Sequence, residues 1–443
     1  MTSFEEVVKN VENHFNEYEG FKLVTEKIEE AVSKSAKIII LSHLDLDGVS
    51  SAVILYRLLK NMGAEVDVKL RPFFTKVEEV SSWCQEKCDL LVLVDKGTMS
   101  SHSNLSKLFS MGAAIIDHHA PQGIENYSFD GCVVYNPCIV RDHRISASYL
   151  TFEVSCKLGF HDEYQDFYAL LGLRGDFAFD PFKPEKADAF IKTFTEYALD
   201  SYSYLFCRKP ASPTRYDLHG GYYTCLYNLI SEFYSVQCYG DKEEEAGESA
   251  HENFKLLLGL AEQEINLRVP KDTIRGLMPK TDKIDELLAK YAKYRRELNA
   301  TLQVFNEEMV KIGDAAGIEF YFVDAGMLRL ATVAGSIKIH KIAKEKNKPV
   351  STIIMRRAPS STKISYRSTS ENLSGSKLMI MFAEEVKRKF GVEAEGGGHT
   401  TAAECIVQAE IPVKEVKKLA VELLKKIEEF KHPLASSSQA QQS

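Results

Sequence analysis

Residues 37–48 read KIIILSHLDLDG. The aliphatic, β-branched block Lys37–Ser42 has the composition of a buried strand, and His43, Asp45 and Asp47 follow it at alternate positions. A buried strand that ends in His and Asp aims those groups into the crevice outside the carboxyl edge of its sheet, where open α/β sheets bind ligands. The design recurs twice. Asp89–Val94 (DLLVLV) runs into Asp95-Lys96-Gly97, and Ala113–Ile116 (AAII) runs into Asp117-His118-His119. Strand ends loaded with carboxylates and imidazoles repel one another unless cations neutralise them, and a divalent metal cluster is the natural reading.

The surrounding pattern alternates strand and helix. Strand Lys37–Ser42 is followed by an expected helix Val49–Met62, strand Glu65–Leu70, a helix near Lys76–Glu86, strand Asp89–Val94, a short helix near Ser103–Ser110 and strand Ala113–Ile116. A strand at Gly131–Tyr135 and helices at Ile145–Leu158 and Tyr164–Leu173 complete it. This spacing predicts an α/β fold with a doubly wound parallel sheet over residues 37–182, preceded by N-terminal helices over 1–36. From 183 to 316 the alternation stops and a mainly helical middle segment is expected. Its acidic patch Asp241–Glu248 reads as a solvated loop, and Asp282–Ile312 reads as one long amphipathic helix. A smaller mixed α/β C-terminal domain is expected over 317–432, with strands at Glu319–Val323, Pro349–Met355, Lys363–Arg367 and Ala402–Val407 and helices near Gly335–Lys344 and Leu378–Phe390. The tail 433–443 (PLASSSQAQQS) has the composition of a disordered segment.

The 443 residues suffice for two or three domains, and no apolar run approaches the ~20 residues of a membrane helix. Nine cysteines without a Cys-x-x-Cys pair read as reduced thiols of a cytoplasmic protein and argue against a zinc site. The net charge of −8 argues against a large duplex-binding surface, and less against a metal-dependent nuclease, whose ligands are themselves carboxylates.

On this reading His43, Asp45 and Asp47 converge, Asp95 is placed to bridge two metals, His118 supplies a nitrogen, and Asp176, in Leu173-Arg174-Gly175-Asp176-Phe177, closes the site from a helix end. Asp45 and Asp47 taken alone equally suit a helix cap. Mixed His and Asp ligands fit two Mn2+ ions better than a purely oxygen-ligated Mg2+, which is the alternative ion. Two metals activate water and stabilise charge on a phosphoryl group, so the reaction class is phosphoester or phosphoanhydride hydrolysis.

The series resembles the four motifs of the DHH phosphoesterase superfamily, whose name is spelled here by Asp117-His118-His119. The resemblance implies that His43, Asp45, Asp47, Asp95, His118 and Asp176 hold two Mn2+ ions with Asp95 bridging. It also implies that His119 faces the substrate phosphate, that Asp117 supports the site from behind, and that activated water attacks without a covalent intermediate. Further on, Glu395-Gly396-Gly397-Gly398-His399-Thr400 resembles the glycine-rich signature of the DHH-associated C-terminal domain, departing from it at Glu404. That resemblance implies substrate binding by Gly396, Gly397, Gly398 and His399, with Arg356, Arg357, Lys363 and Arg367 on the substrate backbone.

The size and two-domain plan are similar to RecJ-like exonucleases. On the resemblance, room for the oligonucleotide-binding barrel of bacterial RecJ is not expected, and His43 stands where that group carries Asp, so archaeal-type RecJ is the closer fit. The implied substrate is single-stranded DNA or RNA, or short oligonucleotides, with a replication-complex protein as a further partner. Three alternatives stay open: an oligoribonuclease or dinucleotide phosphodiesterase, a replication scaffold like the superfamily's catalytically dead relative, and a soluble pyrophosphatase.

Overall fold

The computed structural model describes residues 2–72, 75–83, 88–210, 223–239, 245–358 and 360–431. The chain forms two compact units. Of the described residues, those up to 291 make up the first and those from 292 onward the second.

In the first unit, helices α1 (Phe4–Glu17) and α2 (Glu19–Ser33) lead into β1 (Lys37–Ser42), α3 (Leu46–Asn61), β2 (Glu65–Leu70), α4 (Val77–Trp83), β3 (Leu90–Val94), α5 (His102–Ser106) and β4 (Ala113–Ile116). A short β5 (Ser128–Phe129), β6 (Cys132–Tyr135), α6 (Ala147–Lys157) and α7 (Glu163–Gly175) follow. The strand order is β2-β1-β3-β4-β6-β5, parallel throughout except for β5 against β6. Consecutive residues Ile38, Ile39, Ile40 and Leu41 are all buried, so β1 is covered on both faces as a doubly wound sheet requires. The chain runs from β1 to β2 on one side and then crosses to β3 on the other, so the topological switch lies between β1 and β3.

Helix α3 begins at Leu46, three residues before the expected Val49, because Asp45 caps it by accepting the Gly48 N–H at 3.0 Å. Asp47 therefore sits in the first helical turn rather than in a loop. Gly48 is required there: a Cβ would stand 2.5 Å from the His43 carbonyl oxygen.

The middle segment contributes α8 (Lys192–Ser201), α9 (Ser203–Phe206), the pair β7 (Lys209–Pro210) and β8 (Tyr223–Thr224), α10 (Leu226–Gln237) and α11 (Ala246–Glu262). The acidic patch is not all loop. Its first residues, 241–244, lie outside the described residues, and Ala246–Glu248 open α11.

The long helix α12 (Ile284–Glu308) stops short of the expected Ile312, because residues 310–315 become a strand, β9 (Val310–Ala315). It pairs antiparallel with β10 (Ile318–Asp324) across a turn in which Ala316 and Gly317 both have left-handed φ. In the second unit α13 (Ala331–Lys346), β11 (Val350–Ala358), β12 (Ser361–Ser368), α14 (Gly375–Phe390), β13 (Ala394–Gly398), β14 (Ala402–Val407) and α15 (Val413–Lys431) follow. The sheet order is β13-β14-β12-β11-β10-β9, with only β10 and β11 parallel. Alternate residues of β10 serve opposite faces. Phe320 and Phe322 pack with Phe382 and Leu419, and Val323 packs with Leu298, Phe305 and Ala334. The expected disordered tail, 433–443, lies outside the described residues.

Candidate metal centre

The polar groups gather at the carboxyl edge of the first sheet, at its switch point. His43 leaves β1 with its N–H on the Val94 carbonyl, and Asp95 leaves β3 with its N–H on the Ile116 carbonyl. His43 Nδ1 lies 3.1 Å from Asp45 Oδ2 and 3.6 Å from Asp95 Oδ2. His118 Nε2, beyond β4, lies 3.3 Å from Asp95 Oδ1, 3.0 Å from Asp176 Oδ2 and 3.7 Å from Asp47 Oδ2. All six expected metal ligands thus come together. Within the first unit, ligand atoms lying within 4.8 Å of one another form the groups His43–Asp45–Asp95, Asp47–Asp95–His118 and Asp95–Asp117–His119, and Asp95 belongs to each.

Asp47 has a second task. Its carboxylate accepts the backbone N–H groups of Ala147 at 2.7 Å and Ser148 at 3.0 Å, the opening turn of α6. Helix α7 approaches it closely only because residue 172 is glycine. A Cβ at Gly172 would lie 2.0 Å from Ser148 Oγ and 2.3 Å from Asp47 Oδ1.

Asp117 is fully engaged. It accepts His119 Nδ1 at 2.9 Å, the Gly97 N–H at 3.3 Å, the Thr98 hydroxyl at 2.8 Å and the Asn136 amide at 3.4 Å. Asn136 also donates to the His119 carbonyl at 2.8 Å. Thr98 and Asn136 carry no metal-type chemistry and were missed in the sequence, although Asn136 stands at a strand end just after β6. Lys96, buried behind the centre, binds the Pro72 carbonyl and Thr75 Oγ1, and burial pushes its pKa down to about 7.

Burial opposes charge on the three histidines, yet the carboxylates outweigh it. Asp45 and Asp95 push His43 up to about 10, Asp176 raises His118 and Asp117 raises His119. Burial also raises the Asp95 carboxyl, but hydrogen bonds from His118 and His43 hold it well below its usual range. Asp47 is raised by burial and by the Asp176 and Asp95 charges. The residues fit divalent cations: the donors are carboxylate and imidazole, and the nearest donor to the buried Asp95 Oδ2, His43 Nδ1, stands 3.6 Å away, longer than a normal hydrogen bond.

The residues expected to bind substrate lie in the second unit. Gly396, Gly397 and Gly398 form strand β13 rather than an open loop. A Cβ at Gly396 would stand 2.1 Å from the Met379 carbonyl oxygen, so this glycine lets the strand lie against α14. The His399 N–H bonds the Ala402 carbonyl at 2.7 Å in the β13–β14 turn. Arg367, opposite Ala402, is at the same end of the sheet and donates to the Tyr366 carbonyl. Arg356 is not. It faces Lys363 while Arg367 faces Thr352, which puts the two arginines about 13 Å apart along the strands. Arg356 donates to the Arg329 carbonyl at 3.1 Å, and Arg357 to Asp324 at 2.6 Å.

The chain is similar to several known proteins. The chain is 28% identical over 111 residues to the single-stranded-DNA-specific exonuclease RecJ of Bacillus subtilis (strain 168), a match spanning 24% of this chain and 14% of that relative. Among solved structures it is similar to the DHH domain of a ribosomal-protein family member, with 16% identity, 92% of each chain covered and a TM-score of 0.63. It is also similar to RecJ from Thermus thermophilus in complex with Mn2+, with 17% identity, 92% of this chain and 55% of that one covered and a TM-score of 0.56. The family model described as DHH family, N-terminal domain, matches residues 37–172 of the chain.

Proposed function

We propose that the chain is a metal-dependent phosphodiesterase, a RecJ-like exonuclease that releases mononucleotides from single-stranded nucleic acid with two Mn2+ ions as cofactor. The observation that carries this reading is the position of Asp95, shared between the donor sets His43–Asp45–Asp95 and Asp47–Asp95–His118, with Asp176 3.0 Å from His118. Two donor sets with one carboxylate in common are what a pair of close cations requires. Mn2+ is favoured over Mg2+ because imidazoles stand among the donors. When bound, such ions polarise a phosphoryl oxygen and make water a better nucleophile.

The chain's own groups do the rest. Asp117 takes the Nδ1 side of His119, so Nε2 is the nitrogen directed away from it, toward a substrate phosphate. In the second unit, Gly398, His399 and Arg367 share one end of the sheet and form the surface proposed to hold the nucleic-acid backbone. The curated RecJ relative, named for single-stranded DNA, supports this substrate class. A scaffold needs no ligands, whereas all six candidates are present here.

The test is hydrolysis of end-labelled single-stranded DNA and RNA with Mn2+, beside an Asp117→Ala/His118→Ala control. Stepwise release of mononucleotides that the control lacks is the expected result. Failure to cleave either polymer while Mn2+ still binds would redirect the reading to dinucleotides or to a scaffold.

A further inference from the structure

Asp176 ends α7, and the residue after it, Phe177, breaks two habits of an aromatic side chain. Its φ is +55°, in the left-handed region that bulky residues avoid. It is also 36% exposed, although Leu173 and Ala178 close by in the chain are buried. Strain of this kind persists where surrounding structure imposes it, commonly at binding sites. The ring is braced by Arg174, whose guanidinium lies 4.6 Å from the ring centroid and is itself fixed by a 2.8 Å bond from Nε to Asn228 Oδ1. The neighbouring Asp176 carboxylate reaches the centre at His118 and is 17% exposed, whereas Asp47 and Asp95 are sealed. Phe177 thus follows directly, about 3.8 Å along the backbone, a candidate ligand that solvent still reaches.

We propose that Phe177, braced by Arg174, is the platform on which a nucleobase of the substrate stacks beside the phosphate site, so that the centre selects phosphoesters that carry a base. This rests on the phosphodiesterase reading and deepens it. Aromatic platforms hold bases of any identity through their faces, which suits a site that must accept successive nucleotides. It also separates this centre from one built for inorganic pyrophosphate, which offers nothing to stack.

The test is equilibrium binding of deoxyadenosine monophosphate and of deoxyribose 5-phosphate to the Mn2+-loaded protein. Wild type binds the nucleotide roughly tenfold more tightly than the sugar phosphate. Phe177→Gly, whose backbone suits a left-handed φ, removes that preference while sugar-phosphate binding persists, and Phe177→Trp keeps it. Equal binding of the two ligands by wild type, or a preference that survives Phe177→Gly, overturns the proposal. So does a Phe177→Gly protein that loses both ligands alike. A protein that keeps the preference yet cleaves no oligonucleotide refutes the exonuclease reading and leaves the stacking platform standing.

Discussion

Asp95 leaves β3 with a φ of +54°, a left-handed turn that aspartate tolerates better than most residues. That turn carries its carboxylate toward His43, His118 and His119 together. Asp117, which opens the Asp-His-His triplet, works differently. Four donors converge on its two oxygens, so Asp117→Asn would set an amide N–H against groups that are themselves donors. We expect that variant to lose about 1–3 kcal/mol of stability by urea denaturation, and to lose activity with it because His119 is no longer oriented. The gathering of the ligand-type residues was legible because four such signals follow in order along the chain, three of them at strand ends. Asn136 and Thr98 were not, because an Asn or a Thr after a strand is also an ordinary turn residue.

Besides their apolar packing, the elements around the centre depend on close approaches. Helices α3, α6 and α7 meet where Asp47 receives the amides of Ala147 and Ser148 and Gly172 passes over both. Gly172→Ala would push that contact apart, and we expect about 1–3 kcal/mol of destabilisation in thermal melts together with weakened Mn2+ binding. Farther along, Asp188 ties the loop at Arg144 to the approach to α8. Burial works against its charge, but bonds from His143 Nδ1 and the N–H groups of Phe190 and Arg144 hold its pKa down to about 2. A carboxyl depressed on folding stabilises above its unfolded pKa of about 4 and loses that contribution as pH falls toward 2. Asp188→Asn should therefore cost up to about 2 kcal/mol at neutral pH, a deficit that fades between about pH 4 and 2 in denaturation curves. Strand periodicity made the first sheet readable almost to the residue. The β9–β10 hairpin was hidden because Met309 and Ile312 continue the apolar spacing of α12, and only the turn at Ala316-Gly317 marks the change. The packing role of Gly396 was hidden for a related reason: the proximity of α14 requires it, and no local pattern records that.

Over the whole molecule the net charge of −8 conceals a division. Residues 292–443 hold 24 Lys and Arg against 18 Asp and Glu, a net of +6, which leaves −14 for residues 1–291. The net positive charge thus lies in the C-terminal part of the chain, which suits the polyanionic substrate proposed above, and the net negative charge lies in the part that carries the proposed metal ligands. Binding of a single-stranded oligonucleotide should therefore weaken as salt rises, with a log–log slope of roughly −0.7 per phosphate neutralised, and a flat salt profile in a filter-binding assay would count against that surface. No described helix is long and apolar enough to cross a membrane. The proposed function stands or falls with one carboxylate, Asp95, joining two cation sites. Equilibrium dialysis with Mn2+ should find two ions per wild-type chain and loss of both, with all hydrolysis, in Asp95→Asn. A single ion in the wild type, or an Asp95→Asn protein that keeps its full Mn2+ content and activity, would contradict it.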